Sequence, residues 1–116
     1  MTQDQRTNPE IRKHPRLNKR LKGDYRLILP EERKERFPLE TETISGGGLM
    51  FLSPHPIQEG AHLEFTLFSK ERPIQFTAQA VWTKEQPDQK KSEPVYATGF
   101  RFNVITQEDI AKLLLS

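Results

Sequence analysis

The residues in this chain best suited to chemistry are two arginines and a glycine-rich turn. Arg16 and Arg20 stand four apart in Arg16-Leu-Asn-Lys-Arg20, and Thr43-Ile-Ser45-Gly46-Gly47-Gly48 follows after an apolar stretch. A guanidinium is planar, permanently charged and able to donate paired hydrogen bonds, so two of them near a turn of small residues suit the recognition of an anion. The charge distribution agrees. Residues 1–23 hold seven Lys or Arg against Asp4 and Glu10, a net +5, so with the whole chain at +2 the remainder carries −3. A basic arm on a mildly acidic body suits a polyanionic partner: nucleic acid, an anionic membrane or a phosphorylated small molecule. The plainer alternative is a solvated tail.

Enzyme chemistry finds little support. His14, His55 and His62 are scattered, without a second ligand at the i, i+4 spacing of a helical metal site, and cysteine is absent. Ser45 lacks the glycine two positions before it that a hydrolase nucleophile elbow carries. The glycine run lacks the trailing Lys-Ser/Thr of a phosphate loop and is not followed by a helical pattern. Glu31, Glu32 and Glu35 lie in an exposed charged run and read as solvated. The expectation is a protein that is not an enzyme and holds no metal.

The elements that must position these residues follow from periodicity. Tyr25 to Leu29 is short, apolar and closed by Pro30, as a strand ending in a turn would be, and Glu31 to Arg36 is a charged connection. Phe37 to Leu52 is extended but broken at Ser45–Gly48, which places a tight bend between two strands. His62–Phe68 alternates with Leu63, Phe65 and Leu67 on one face, and Ile74–Trp82 with Ile74, Phe76, Ala78, Ala80 and Trp82. Gln86 to Pro94 is the polar tip of a hairpin leading into Val95–Asn103. Thr106 with Asp109 three residues on resembles a helix N-cap, ahead of a short helix facing inward with Ile110, Leu113 and Leu114. About six short strands and a terminal helix favour a closed or nearly closed antiparallel barrel, because closure removes exposed strand edges. The fold expected is mainly β: a six-stranded antiparallel barrel over residues 16–116, preceded by a flexible basic arm at 1–15.

At 116 residues the chain suits one domain. The absence of cysteine is compatible with a reducing cytoplasm, the opening stretch has no apolar core of a signal peptide, and no apolar run approaches a membrane span. The location expected is the cytoplasm.

The order and spacing of RxxxR and TISGGG, with the apolar Gly48-Leu-Met-Phe51, Glu59-Gly60, Val81-Trp82 and Gly99-Phe-Arg-Phe102 after them, resemble the PilZ family of cyclic di-GMP receptors, whose signatures are RxxxR and [D/N]xSxxG. The resemblance covers roughly residues 12–115. It implies that Arg16 and Arg20 contact guanine and phosphate from a segment that folds over the ligand and orders on binding. It also implies that Ser45, Gly46 and Gly48 form the turn against which the ligand lies, the glycines allowing close approach and positive φ. A tight hairpin with no ligand role is the plainer account of those glycines. Thr43 stands where the family has Asp or Asn, and losing a charge-assisted hydrogen bond of about 1.5–3 kcal/mol would weaken binding by one to two orders of magnitude. Glu42 is adjacent but should face the opposite way unless a bulge intervenes. Trp82, aligned with core residues, is expected to pack in the core or as a lid over it, with a guanine platform as its other role.

Three functions follow. The first is a cyclic di-GMP receptor that passes the second-messenger level to a protein partner controlling motility, biofilm or polysaccharide output. The second is a degenerate PilZ module acting by protein contacts alone, which Thr43 favours. The third is a nucleic-acid-binding barrel resembling an OB-fold; the net acidic body, with its aromatics on core faces, disfavours it.

Overall fold

Alternating side chains build the walls of this fold. The computed structural model describes residues 15–86 and 93–116; residues 1–14 of the expected arm, with His14, and the hairpin tip at 87–92 lie outside the described residues. The strands are β1 (Leu17–Asn18), β2 (Lys22–Leu29), β3 (Phe37–Ile44), β4 (Gly48–Ser53), β5 (His62–Phe68), β6 (Pro73–Gln86) and β7 (Val95–Val104), followed by helix α1 (Gln107–Leu115). Hydrogen bonding runs β3-β2-β5-β6-β7-β4, and β4 pairs back onto β3, so six antiparallel strands close a barrel. The two-residue β1 is an addition to the six-strand expectation.

Inward positions supply the core. Leu63, Phe65 and Leu67 of β5 and Ile74, Phe76, Ala78 and Ala80 of β6 are buried, as their period of two predicts. Phe51 stacks on Phe100 at 5.4 Å between ring centroids, Phe65 stacks on Phe76 at 5.2 Å, and Phe65 meets Phe100 edge-on at 5.1 Å. These rings tie β4, β5, β6 and β7 together across the lumen, each buried Phe contributing about 1.5–3 kcal/mol through burial.

The helix packs its apolar face onto the core. Thr106 is its N-cap, with the Asp109 amide donating to the Thr106 hydroxyl at 3.1 Å, and Leu113 is fully buried against the core. Arg72 donates to Asp109 at 2.7 Å and Lys112 to Glu71 at 2.8 Å, fastening α1 to the β5–β6 turn. Among the described residues, no helix is long and apolar enough to cross a membrane.

Two of the four register shifts in the strands reorganise, near the glycine turn, what the alternation alone would predict. Between Ala80 and Trp82 the register of β6 on β7 shifts: Ala80 pairs with Phe100 and Trp82 with Gly99, leaving Val81 as an extra residue. On β3 the pairing with β4 shifts between Thr41 and Thr43, so that Glu42 is the extra residue. A bulge of this kind reverses the side-chain parity beyond it.

Candidate functional site

Those two bulges decide which side chains meet on the outer face of the barrel. Because Val81 is bulged, Trp82 leaves the line of Ile74, Phe76, Ala78 and Ala80 and turns outward with Gly99. Of the core or lid packing expected of Trp82, the core part is therefore corrected. Its indole lies against Gly99, where a Cβ would come within 2.1 Å of the indole Nε1. A glycine is needed there for the ring to approach so closely.

The second bulge turns both Glu42 and Thr43 outward, while Thr41 and Ile44 on either side of them are fully buried. The condition under which Glu42 could share the face of Thr43 is therefore met. Glu42 accepts a hydrogen bond from Arg20 at 3.4 Å.

The segment carrying the arginines runs beside β3, with the two-residue β1 between them. Leu17 and Asn18 pair with Ile44 and Thr43, the Lys19 amide donates to the Glu42 carbonyl at 3.1 Å, and the Thr41 amide donates to the Leu21 carbonyl at 2.9 Å. The Thr41 hydroxyl donates to the Lys19 carbonyl at 2.6 Å and accepts from the Leu21 amide at 2.9 Å. Residues 17–21 thus run along β3. Arg16 lies just before this strand; Arg20 lies where the segment bulges between β1 and β2.

Ser45 organises the turn from β3 to β4. The Gly47 and Gly48 amides donate to its Oγ at 3.1 and 3.2 Å, and its own amide donates to the Gly48 carbonyl at 2.9 Å. Those glycine amides are consequently engaged within the turn rather than open to an anion, and the hydroxyl proton, whose contact with the Gly48 carbonyl is a long 3.5 Å, is the donor Ser45 has left to offer. Close approach is real at Gly48, where a Cβ would sit 1.8 Å from the Phe100 carbonyl oxygen. The expected positive φ is not in this turn; it occurs at Gly60.

A cavity of about 240 Å³ opens on this face, and Arg16, Thr43, Ser45, Gly48 and Trp82 all line it. Arg20 and Gly46 do not: Arg20 is turned to Glu42, and Gly46 sits in the turn without reaching the lining. The lining adds residues to which the sequence analysis gave no site role, chiefly Met50, Val81, Gly99 and Arg101. Met50, Gly99 and Arg101 could be found only from the pairing of β4 with β7, which brings Met50 opposite Gly99 and Gly48 opposite Arg101. The lining contains cations, hydroxyls and an indole but no carboxylate or histidine.

A larger cavity of about 370 Å³ opens elsewhere, among Tyr25, Leu27, Phe37, Ile57 and Leu63. Its walls are mainly apolar, and its Arg33 is paired with Glu31 at 2.7 Å. Convergent polar chemistry therefore favours the smaller one as the site. Among the described residues, no group of three His, Cys, Asp or Glu is placed to hold a metal ion.

A closed barrel that gathers cations, a hydroxyl and an indole on one outer face has the form of a recognition module. The chain belongs to the PilZ domain family, which it matches over residues 10–115. That family consists of non-catalytic receptor modules for cyclic di-GMP. The fold is shared with the PilZ domain of YcgR from Escherichia coli with c-di-GMP, at 18% identity and a TM-score of 0.69, covering 90% of this chain and 87% of that one. It is shared equally with the Bacillus subtilis inhibitor of motility, MotI/DgrA, at 20% identity and a TM-score of 0.69, covering 91% and 48%. K. pneumonia MrkH in its apo state matches at 20% identity and a TM-score of 0.69, covering 97% and 51%. The chain spans about half the length of these last two proteins. No curated protein matches it in sequence.

Proposed function

We propose that this chain is a cytoplasmic receptor for cyclic di-GMP that passes the second-messenger signal to a protein partner governing motility, biofilm or polysaccharide output. One observation carries the reading: Arg16, Ser45 and Trp82, far apart in sequence, line the same cavity. The ligand has planar guanines and anionic phosphates. An indole can stack on a base, while a guanidinium can stack or donate paired hydrogen bonds to a base edge or a phosphate. At about 240 Å³ the cavity is smaller than the roughly 300–1,000 Å³ of pockets that enclose a drug-sized ligand. It accordingly takes one base with its phosphate, and the rest of the ligand extends toward Arg20, which leaves Glu42 to reach it.

A second reading has its own support. Thr43 supplies a hydroxyl where the family has a carboxylate or amide, and Glu42 already engages Arg20. Both features suit a module that works through protein contacts alone.

Calorimetric titration of cyclic di-GMP, with GMP as control and a double variant Arg16→Ala, Arg20→Ala alongside, separates the two. The receptor reading expects micromolar or tighter binding that the double variant abolishes. No heat near 100 μM from the folded protein would sink it and leave the protein-contact module.

A further inference from the structure

Arginine partnerships single out one residue to which the sequence pattern assigns no role. Arg20 pairs with Glu42, Arg26 with Glu64 and Glu32, Arg33 with Glu31, Arg36 with Asp24 and Glu64, and Arg72 with Asp109. Arg101 differs. Like Arg16 it has no carboxylate partner among the described residues, and its guanidinium donates instead to the neutral amide of Gln79, at 3.1 Å from Nη2 to Oε1. It also lines the cavity that holds Arg16, Ser45 and Trp82.

Its place in the barrel gives it reach and rigidity. On β7 it pairs with Gly48 of β4 on one side and Gln79 of β6 on the other, two residues along the same outer face from Gly99, which carries the Trp82 indole. The Phe102 amide next to it donates to the Gly47 carbonyl at 2.9 Å, fixing the Ser45 turn to this stretch of β7. Arg16 approaches the cavity from the peripheral segment before β1, whereas Arg101 stands on a strand bonded on both sides. A cation with no carboxylate partner among the described residues and its direction set by a neutral amide is organised to meet an anion from outside the chain.

We propose that Arg101 is a ligand-contacting residue that receives a phosphate of the bound dinucleotide, and that Gln79 aims it without cancelling its charge. This rests on the receptor reading above. It divides the site into a barrel half, Arg101 with Trp82 and Ser45, and a strand-edge half carrying Arg16 and Arg20.

The test is a titration of cyclic di-GMP into wild type, Arg101→Ala and Gln79→Glu at low and high sodium chloride, with thermal unfolding recorded for each. Arg101→Ala is expected to bind tenfold to a hundredfold more weakly at low salt, as loss of a charge-assisted contact implies. Its binding should depend less steeply on salt than that of wild type, at an unchanged melting temperature. Gln79→Glu keeps the arginine but places a carboxylate beside it, and should weaken binding in the same direction. If wild type binds and Arg101→Ala binds within twofold of it with the same salt dependence, the role of Arg101 is overturned while the receptor reading stands. If wild type itself does not bind, both fall.

Discussion

At the scale of single residues, the contact between Trp82 and Gly99 is the most exacting on the proposed binding face. A methyl group at position 99 would overlap the indole, with Nε1 at 2.1 Å and Cε2 at 2.3 Å from the added Cβ. The ring projects outward rather than into the core, so it can swing away without opening a cavity inside the barrel. Gly99→Ala is therefore expected to move the emission maximum of the only tryptophan and to weaken cyclic di-GMP binding while leaving the cooperative unfolding transition in place. Fluorescence and calorimetry on one sample check this, and an unchanged spectrum with unchanged affinity would show that the indole takes no part.

At the scale of elements, Thr41 is what joins the arginine segment to the barrel. Its fully buried hydroxyl serves the Lys19 carbonyl and the Leu21 amide at once, on the strand whose bulge turns Glu42 and Thr43 outward. Thr41→Val keeps shape and volume but leaves those backbone groups short of a partner, a cost of about 1–3 kcal/mol. The expected outcome is faster amide hydrogen exchange confined to residues 17–21 and weaker dinucleotide binding, with Thr41→Ser restoring both. Uniform loss of protection across β5 and β6 would instead mean that Thr41 supports the whole barrel. Nothing in the sequence marks this threonine. It stands in an alternating Glu-Thr-Glu-Thr run, and only the approach of the preceding segment gives its hydroxyl work to do.

At the scale of the whole molecule, charge on the outer wall ties the early strands together. Glu64 of β5 accepts from Arg26 of β2 at 2.8 Å and from Arg36, just before β3, at 3.1 Å. The hydrogen bond from Arg26, then that from Arg36, hold its carboxyl below its ordinary value of 4.5. A carboxyl depressed on folding stabilises the protein fully above its ordinary pKa and loses that contribution as pH falls through the folded value. The pairs are partly solvated, so the contribution is on the order of 1 kcal/mol. Glu64→Gln should unfold at lower urea than wild type at neutral pH, and the gap should close as pH drops well below 4.5. A gap of constant size across that range would assign the effect to packing instead of charge.

Much of the fold was legible before any coordinates. Period-two alternation in His62–Phe68 and Ile74–Ala80, the glycine break at 45–48 and the Thr106 cap each depend on neighbours close in the chain, and each stands where the pattern placed it. The paired signatures were legible too, since residue type and spacing alone carry them. The bulges were not, because whether a strand holds one extra residue depends on the register forced by its partners when six strands close a barrel. That closure turned Trp82 from core to surface, brought Glu42 and Thr43 to one face, engaged Arg20 with Glu42 and set Arg101 beside the cavity. Alternation is local and steric, so the chain carries it unaided; which outward side chains converge is set by strands distant in sequence, so it exists only once they are paired.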